Sequence, residues 1–284
     1  MVITTENSTV EINGLRLHYI RRSTEQPRPD CPTGVFLHGS SGNAHIWDLV
    51  APAIARNIPT FAIDLRGHGL SDRAIPPAYR GVDYLSDLEQ FMDEFDIRSA
   101  ILIAHSMSVF HSIRYAADNP DRVAKLVLVD IEATCRREHI ELLNAAGRKP
   151  HPVFGSLEEA IAREQRSAQF ASTEALAGFI QSNLAAIEAA DNSLPSLTYR
   201  FDRATLAQFD NYDEWGNLKR IRCPVLIVYG EHSQLVRYEV VQKMKSELNR
   251  GTLAEIPRAG HLPMLDNPTA FEQAVLGFCP SEPA

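Results

Sequence analysis

Ser106 is the residue whose surroundings most suggest chemistry. It stands between two small side chains in Ala104-His105-Ser106-Met107-Ser108, after the apolar run Ala100–Ile103 and directly before a helical pattern. A serine at a tight strand-to-helix turn presents its hydroxyl as a nucleophile. The commoner form of this pattern has glycine at both small positions, here Ala104 and Ser108. A serine hydroxyl is weak until an imidazole takes its proton, and the imidazole needs a carboxylate to hold its tautomer and stabilise its cation. The oxyanion formed at an attacked carbonyl needs fixed N–H donors, with one donor worth about 10²–10³ in rate. The chain offers Ser106, Asp130 and His261 in that order, together with the glycine-rich loop His38-Gly39-Ser40-Ser41-Gly42.

These residues need elements that bring them together. Residues 8–22 read as two strands joined at Asn13-Gly14, a strong hairpin signal. Gly34–Leu37, Pro59–Asp64, Ala100–Ile103, Val123–Val129, Pro224–Gly230 and Thr252–Ile256 are short apolar runs of strand character. Between them lie helical patterns over Asn43–Arg56, Val82–Phe95, Tyr238–Leu248 and Pro268–Phe278; in the second, Leu85, Leu88, Phe91, Met92 and Phe95 share one face. Strands alternating with helices and apolar on both faces call for a mostly parallel sheet covered on both sides. His38-Gly39, Asp64, Ser106, Asp130, Gly230 and His261 each follow a strand, so they gather at the carboxyl edge of that sheet, where open α/β sheets bind ligands. From about Ala133 to Trp215 no strand run is visible and only helical patterns occur, one beginning at Ser156 with Glu159 in capping-box position. Residues 1–132 and 216–284 are therefore expected to form the α/β core and 133–215 an inserted helical cap.

Composition narrows the classes. The 284 residues are 44% hydrophobic and 23% charged with a formal net charge of −8, ordinary for a globular enzyme. With no long basic run, a nucleic-acid partner is not expected. No apolar run approaches the ~18 residues of a membrane span, and neither a basic n-region nor an apolar h-region opens the chain, so a cytoplasmic location is expected. Cys31, Cys135, Cys223 and Cys279 are far apart and form no C-x-x-C, which argues against a zinc site or a disulfide framework. Neither a metal nor a cofactor is expected. The expected partner is a small-molecule substrate, and a homo-oligomer is compatible with the sequence.

Over roughly residues 10–280 the chain resembles the α/β-hydrolase-fold superfamily. The resemblance is carried by His38-Gly39-Ser40-Ser41-Gly42, by Asp64-Leu65-Arg66-Gly67-His68-Gly69-Leu70-Ser71-Asp72, by Ala104–Ser108, and by Gly260-His261 followed by Asn267-Pro268. It implies that Ser106 is the nucleophile, that His261 is the base, and that the backbone N–H groups of Ser40 and Met107 form the oxyanion hole. In most relatives the acid lies three residues past the glycine ending the later strand, which here is Ser233, a residue without a carboxylate. A subgroup that includes cofactor-free ring-cleaving dioxygenases is similar in taking its acid after the sixth strand, where Asp130 stands. Asp130 is thus the first choice, ahead of Glu132 and Glu231. Haloalkane dehalogenases and epoxide hydrolases attack with an aspartate at the position of Ser106, which sets them aside.

The expected reaction is hydrolysis through an acyl-enzyme of a small or medium ester, amide, thioester or activated C–C substrate. A second reading has His261 and Asp130 deprotonate an aromatic hydroxy substrate for cofactor-independent oxygenation. A third is a signalling receptor on a hydrolase scaffold. Candidate substrate contacts are His105, Arg136, Arg137 and Trp215, with the arginines suited to a substrate carboxylate.

Overall fold

The apolar runs pair into one large sheet, and their alternation explains why both of its faces are covered. In the computed structural model, which describes residues 2–25, 31–166, 168–187 and 196–279, the chain runs β1 (Ile3–Ile12), β2 (Leu15–Thr24), β3 (Thr33–Leu37), α1 (Ala51–Ala55), β4 (Thr60–Ile63), α2 (Gly81–Glu94), β5 (Ala100–His105), α3 (Met107–Asp118) and β6 (Val123–Val129). An insertion follows with α4 (Arg137–Gly147), β7 (Val153–Phe154), α5 (Leu157–Glu164), α6 (Thr173–Asn183), β8 (Leu184–Ile187), β9 (Ser196–Tyr199) and α7 (Ala204–Ala207), and α8 (Trp215–Leu218) leads back to the core. The chain closes with β10 (Val225–Gly230), α9 (Tyr238–Glu247), β11 (Gly251–Ile256), α10 (Pro263–Asp266) and α11 (Pro268–Phe278).

The eight-stranded sheet has the order β1-β2-β4-β3-β5-β6-β10-β11. The strands β4 to β11 in that order run parallel, while β2 is antiparallel to both β1 and β4. Asn13 and Gly14 take φ of 51° and 74° between β1 and β2, the left-handed pair that a two-residue hairpin turn demands. In β5, Leu102 and Ala104 join the core on one face with Phe91, Val109 and Ile113, and Ile101 and Ile103 join the other with Trp47, Ile54 and Phe271. A period of two on a strand buried on both sides gives this split. These two faces are the α/β fold with a doubly covered, mostly parallel sheet that the sequence predicts.

Two local expectations are refined. The pattern over Asn43–Arg56 is a 3₁₀ turn at Ala44–Trp47, capped by the Asn43 side chain, followed by the short α1. Pro52, near the start of α1, lacks the N–H that a continuous helix would use there. The insertion contains helices as expected, but also a three-stranded antiparallel sheet in the order β7-β9-β8. Ser156 caps α5 as expected, while the Glu159 carboxylate reaches one residue further back, to the Gly155 N–H. At the neck of the insertion the outgoing and returning chains pair, with Thr134 opposite Asp213 and the Glu214 N–H on the Ala133 carbonyl at 2.9 Å. No helix among the described residues is long and apolar enough to cross a membrane.

Gly230, the last residue of β10, sets how closely the loop after β11 approaches the sheet. A Cβ there would lie 2.2 Å from the Gly260 carbonyl oxygen and 2.5 Å from that of Ala259. Gly230→Ala must push this backbone away, so a loss of about 1–3 kcal/mol is expected. Thermal unfolding measures it, and an unchanged midpoint would refute the close approach.

Candidate active site

Ser106 lies at the turn between β5 and α3 with φ 53° and ψ −121°. A non-glycine residue held there stores about 1–3 kcal/mol of backbone strain, offset by the structure around it. Gly39 comes so near that a Cβ on it would be 2.7 Å from the Ser106 Cβ and 2.8 Å from His105 Nδ1. The loop is held in this position from two sides. The Ser108 hydroxyl donates to the His38 carbonyl at 2.5 Å, a tie that glycine at position 108 would lack. The His38 ring accepts the Leu65 N–H on Nε2 at 3.0 Å and, in that tautomer, donates from Nδ1 to the Gly39 carbonyl at 2.7 Å. Burial lowers the pKa of His38 despite the nearby Asp64, favouring the neutral ring that can do both. Ser40 then sits against Met107, with its Oγ 3.5 Å from the Met107 Sδ. Met107 is the first residue of α3, so its N–H has no acceptor within the helix.

His261 and Asp130 meet near Ser106, with His261 lining the same cavity. His261 Nδ1 is 2.8 Å from Asp130 Oδ2, and the Asp130 side chain is fully shielded from solvent while that of His261 is 28% exposed. Asp130 has φ 55° at the end of β6. Its Oδ1 accepts the Gly230 N–H at 2.9 Å, and its Oδ2 also accepts the Ser233 hydroxyl at 2.7 Å. Ser233, where the resemblance leads one to look for an acid, therefore donates to the carboxylate that neighbours His261. Glu132 is turned to Arg237, whose Nε and Nη2 donate to its two oxygens at 2.8 and 2.7 Å. Glu231 is 43% exposed and accepts the Arg258 N–H. Of the three acids considered, Asp130 is the one hydrogen-bonded to His261.

The loop bearing His261 is fixed by backbone contacts. Asp266 Oδ2 accepts the Gly260 N–H at 2.8 Å, and His105 Nε2 lies 2.8 Å from the His261 carbonyl oxygen. The two rings are 4.6 Å apart. Burial, then the proximity of His261, pushes the pKa of His105 well down, so it remains a neutral donor beside His261.

Two cavities meet at this point. One of about 190 Å³ is lined by Ser106, Met107 and His261 and by apolar side chains such as Phe110, Ile131 and Phe209. The other, about 330 Å³, extends under the insertion and is lined by His105, Asn183, Tyr199 and two arginines, Arg163 and Arg203. Ser40, Ser41 and His261 line both. Of the candidate contacts, His105 reaches the larger cavity, but Arg136, Arg137 and Trp215 line neither. Arg136 donates to the Gln234 carbonyl, Arg137 pairs with Glu141 in solvent, and Trp215 lies under the Lys243 ammonium at 4.5 Å. Arg163 and Arg203 gave no signal in the sequence, because nothing local distinguishes them from surface arginines.

Comparison with known proteins agrees with this architecture. A family profile described as α/β hydrolase fold matches residues 35–268. The chain is 26% identical over 247 residues to the 2-(acetamidomethylene)succinate hydrolase of Mesorhizobium japonicum, covering 87% of each chain. It is also 26% identical over 257 residues to a 2-hydroxy-6-oxononadienedioate/2-hydroxy-6-oxononatrienedioate hydrolase of Cupriavidus pinatubonensis, covering 87% of this chain and 86% of the relative. Among solved structures, an E-2-(acetamidomethylene)succinate hydrolase superposes with a TM-score of 0.83 at 23% identity, covering 97% of this chain and 99% of that one. An α/β hydrolase from Novosphingobium aromaticivorans gives 0.81 at 23% identity, covering 97% of both. The sheet order, the strained turn at Ser106 and the matched profile lead to one conclusion: this chain belongs to the α/β-hydrolase-fold family and is a hydrolase of it.

Proposed function

We propose that this chain is a serine hydrolase working through an acyl-enzyme on a small or medium ester, amide, thioester or activated C–C substrate. One observation carries the reading: His261 is hydrogen-bonded at 2.8 Å to a fully buried Asp130 and lines the same cavity as Ser106. With Nδ1–H donated to Asp130, the other ring nitrogen is free to accept a proton. His261 Nε2 takes the Ser106 proton as Oγ attacks the substrate carbonyl. The negative charge that develops on the carbonyl oxygen is held by the N–H groups of Ser40 and Met107. Asp130 keeps the imidazole in its tautomer and stabilises the cation, without itself accepting the proton. His261 then gives the proton to the leaving group, and a water molecule, deprotonated by the same ring, releases the acid and restores Ser106.

The names of the two relatives support including amides and C–C bonds in the substrate class, since one acts on an acetamidomethylene succinate and the other on a hydroxy-oxo-dienedioate. In this reading residues 133–215 are the cap that encloses the substrate. Cys135, Cys223 and Cys279 are buried thiols whose pKa burial pushes up to about 11, unreactive groups that suit the proposed cytoplasmic setting.

Ser106→Ala is expected to abolish labelling by a fluorophosphonate probe and to cut p-nitrophenyl ester turnover by at least about 10⁴-fold. Labelling that survives the substitution would exclude Ser106 as the nucleophile. Asp130→Asn is expected to lower kcat by about 10³–10⁴-fold, against little change for Glu231→Gln. Steady-state kinetics on the two variants separates them, and near-normal turnover by Asp130→Asn would remove Asp130 from the mechanism.

A further inference from the structure

The larger cavity carries a charge pattern that the acyl-transfer steps do not use. Its wall under the insertion holds two guanidinium groups, Arg163 near the end of α5 and Arg203 immediately before α7. Arg203 donates from Nη2 to the Ala146 carbonyl. Its Nε is buried and has no hydrogen-bond partner among the described residues, and it makes no ion pair among them. Burial, and then repulsion from Arg163, lowers its pKa, the reverse of what a paired arginine shows. The one carboxylate on this wall is Glu164. It lies 3.8 Å from Arg163 Nε and already accepts the Tyr199 hydroxyl. Arg163, Glu164 and Arg203 together carry one net positive charge.

A half-buried guanidinium that lines a cavity without a carboxylate partner is an unfavourable arrangement unless an anion completes it. We propose that Arg203, assisted by Arg163, is a carboxylate-binding subsite, so that the preferred substrates carry a free carboxylate on the cap side of the reacting carbonyl. One carboxylate matches the single net charge, and the planar guanidinium is suited to it. The remainder of the substrate then occupies the apolar cavity beside Phe110, Ile131 and Phe209. Ser40, Ser41 and His261 line both cavities, which puts the reacting carbonyl at their junction. What sits at Ser106 rests on the serine-hydrolase reading; the anion subsite itself does not.

The test compares mono-p-nitrophenyl glutarate with its methyl ester, which differ in one negative charge. The ratio of their kcat/KM values cancels any general loss of activity in a variant. The wild-type protein is expected to favour the charged ester by about tenfold or more. Arg203→Gln should bring the ratio close to one, Arg203→Lys should retain most of it, and Arg163→Gln should reduce it severalfold. A wild-type ratio of one or less, or a ratio unmoved by both Arg203→Gln and Arg163→Gln, would overturn the subsite.

A second measurement needs no turnover: calorimetric binding of monomethyl glutarate and of inorganic phosphate to Ser106→Ala, with and without Arg203→Gln. Monomethyl glutarate is expected to bind about tenfold more weakly when Arg203 is replaced. Phosphate binding more tightly than the carboxylate would overturn the assignment. If neither ester is turned over and no probe labels Ser106, the hydrolase reading fails by itself, and Arg203-dependent binding then upholds the subsite or its absence ends it.

Discussion

A carboxylate withdrawn completely from water must be satisfied from every direction, and the end of the sheet is arranged to do this for Asp130. An unpaired ion in such a position costs several kcal/mol. Here the Gly230 N–H, the Ser233 hydroxyl and His261 Nδ1 replace the lost solvent. Those donors come from the end of β10, the turn after it and the loop after β11. They converge only because β6, β10 and β11 are adjacent and parallel in the sheet. The same requirement explains the bare Gly230, since a side chain there would hold the loop carrying His261 away from β10.

Across the site the glycine-rich loop is controlled by neutral groups rather than ions. The His38 ring bridges the Leu65 N–H and the Gly39 carbonyl, and Ser108 anchors the His38 carbonyl. Burial disfavours the charged form of both His38 and His105. His38 and His105, two imidazoles packed near Ser106, are thus held uncharged. In the proposed reaction this keeps positive charge where a proton has to arrive and nowhere else nearby. Preorganisation of this kind avoids rearranging dipoles during the reaction.

The core was legible in the sequence because its strands are short apolar runs ended by glycine, serine, aspartate or histidine. Ala100–Ile103 and Pro224–Gly230 leave little room for another reading. The bond between Asp130 and His261 was foreshadowed by a missing acid at Ser233, although the hydroxyl bond from Ser233 to Asp130 was not. The small sheet of the insertion is not legible in the sequence, for physical reasons. β7 has two residues, β8 follows α6 without any intervening residue, and Leu184-Ala185-Ala186-Ile187 is as compatible with a helix as with a strand. Arg136 and Arg137 are the candidates visible in the sequence because they stand next to the neck of the insertion. Arg163 and Arg203 become neighbours only when α5 and the segment after β9 fold over the same cavity.

The bond between Ser233 and Asp130 has a consequence for how this site can change over time. With the Ser233 hydroxyl oxygen 2.7 Å from the Asp130 oxygen that faces His261, two points distant in the chain occupy one neighbourhood in space. A negative charge carried at either address would stand close to the same imidazole nitrogen. In the proposed mechanism the acid can therefore be relocated by two exchanges, Ser233→Asp and Asp130→Asn, passing through a form that holds both carboxylates and never one that holds neither. What is constrained is the place of the charge, and the backbone offers it two homes.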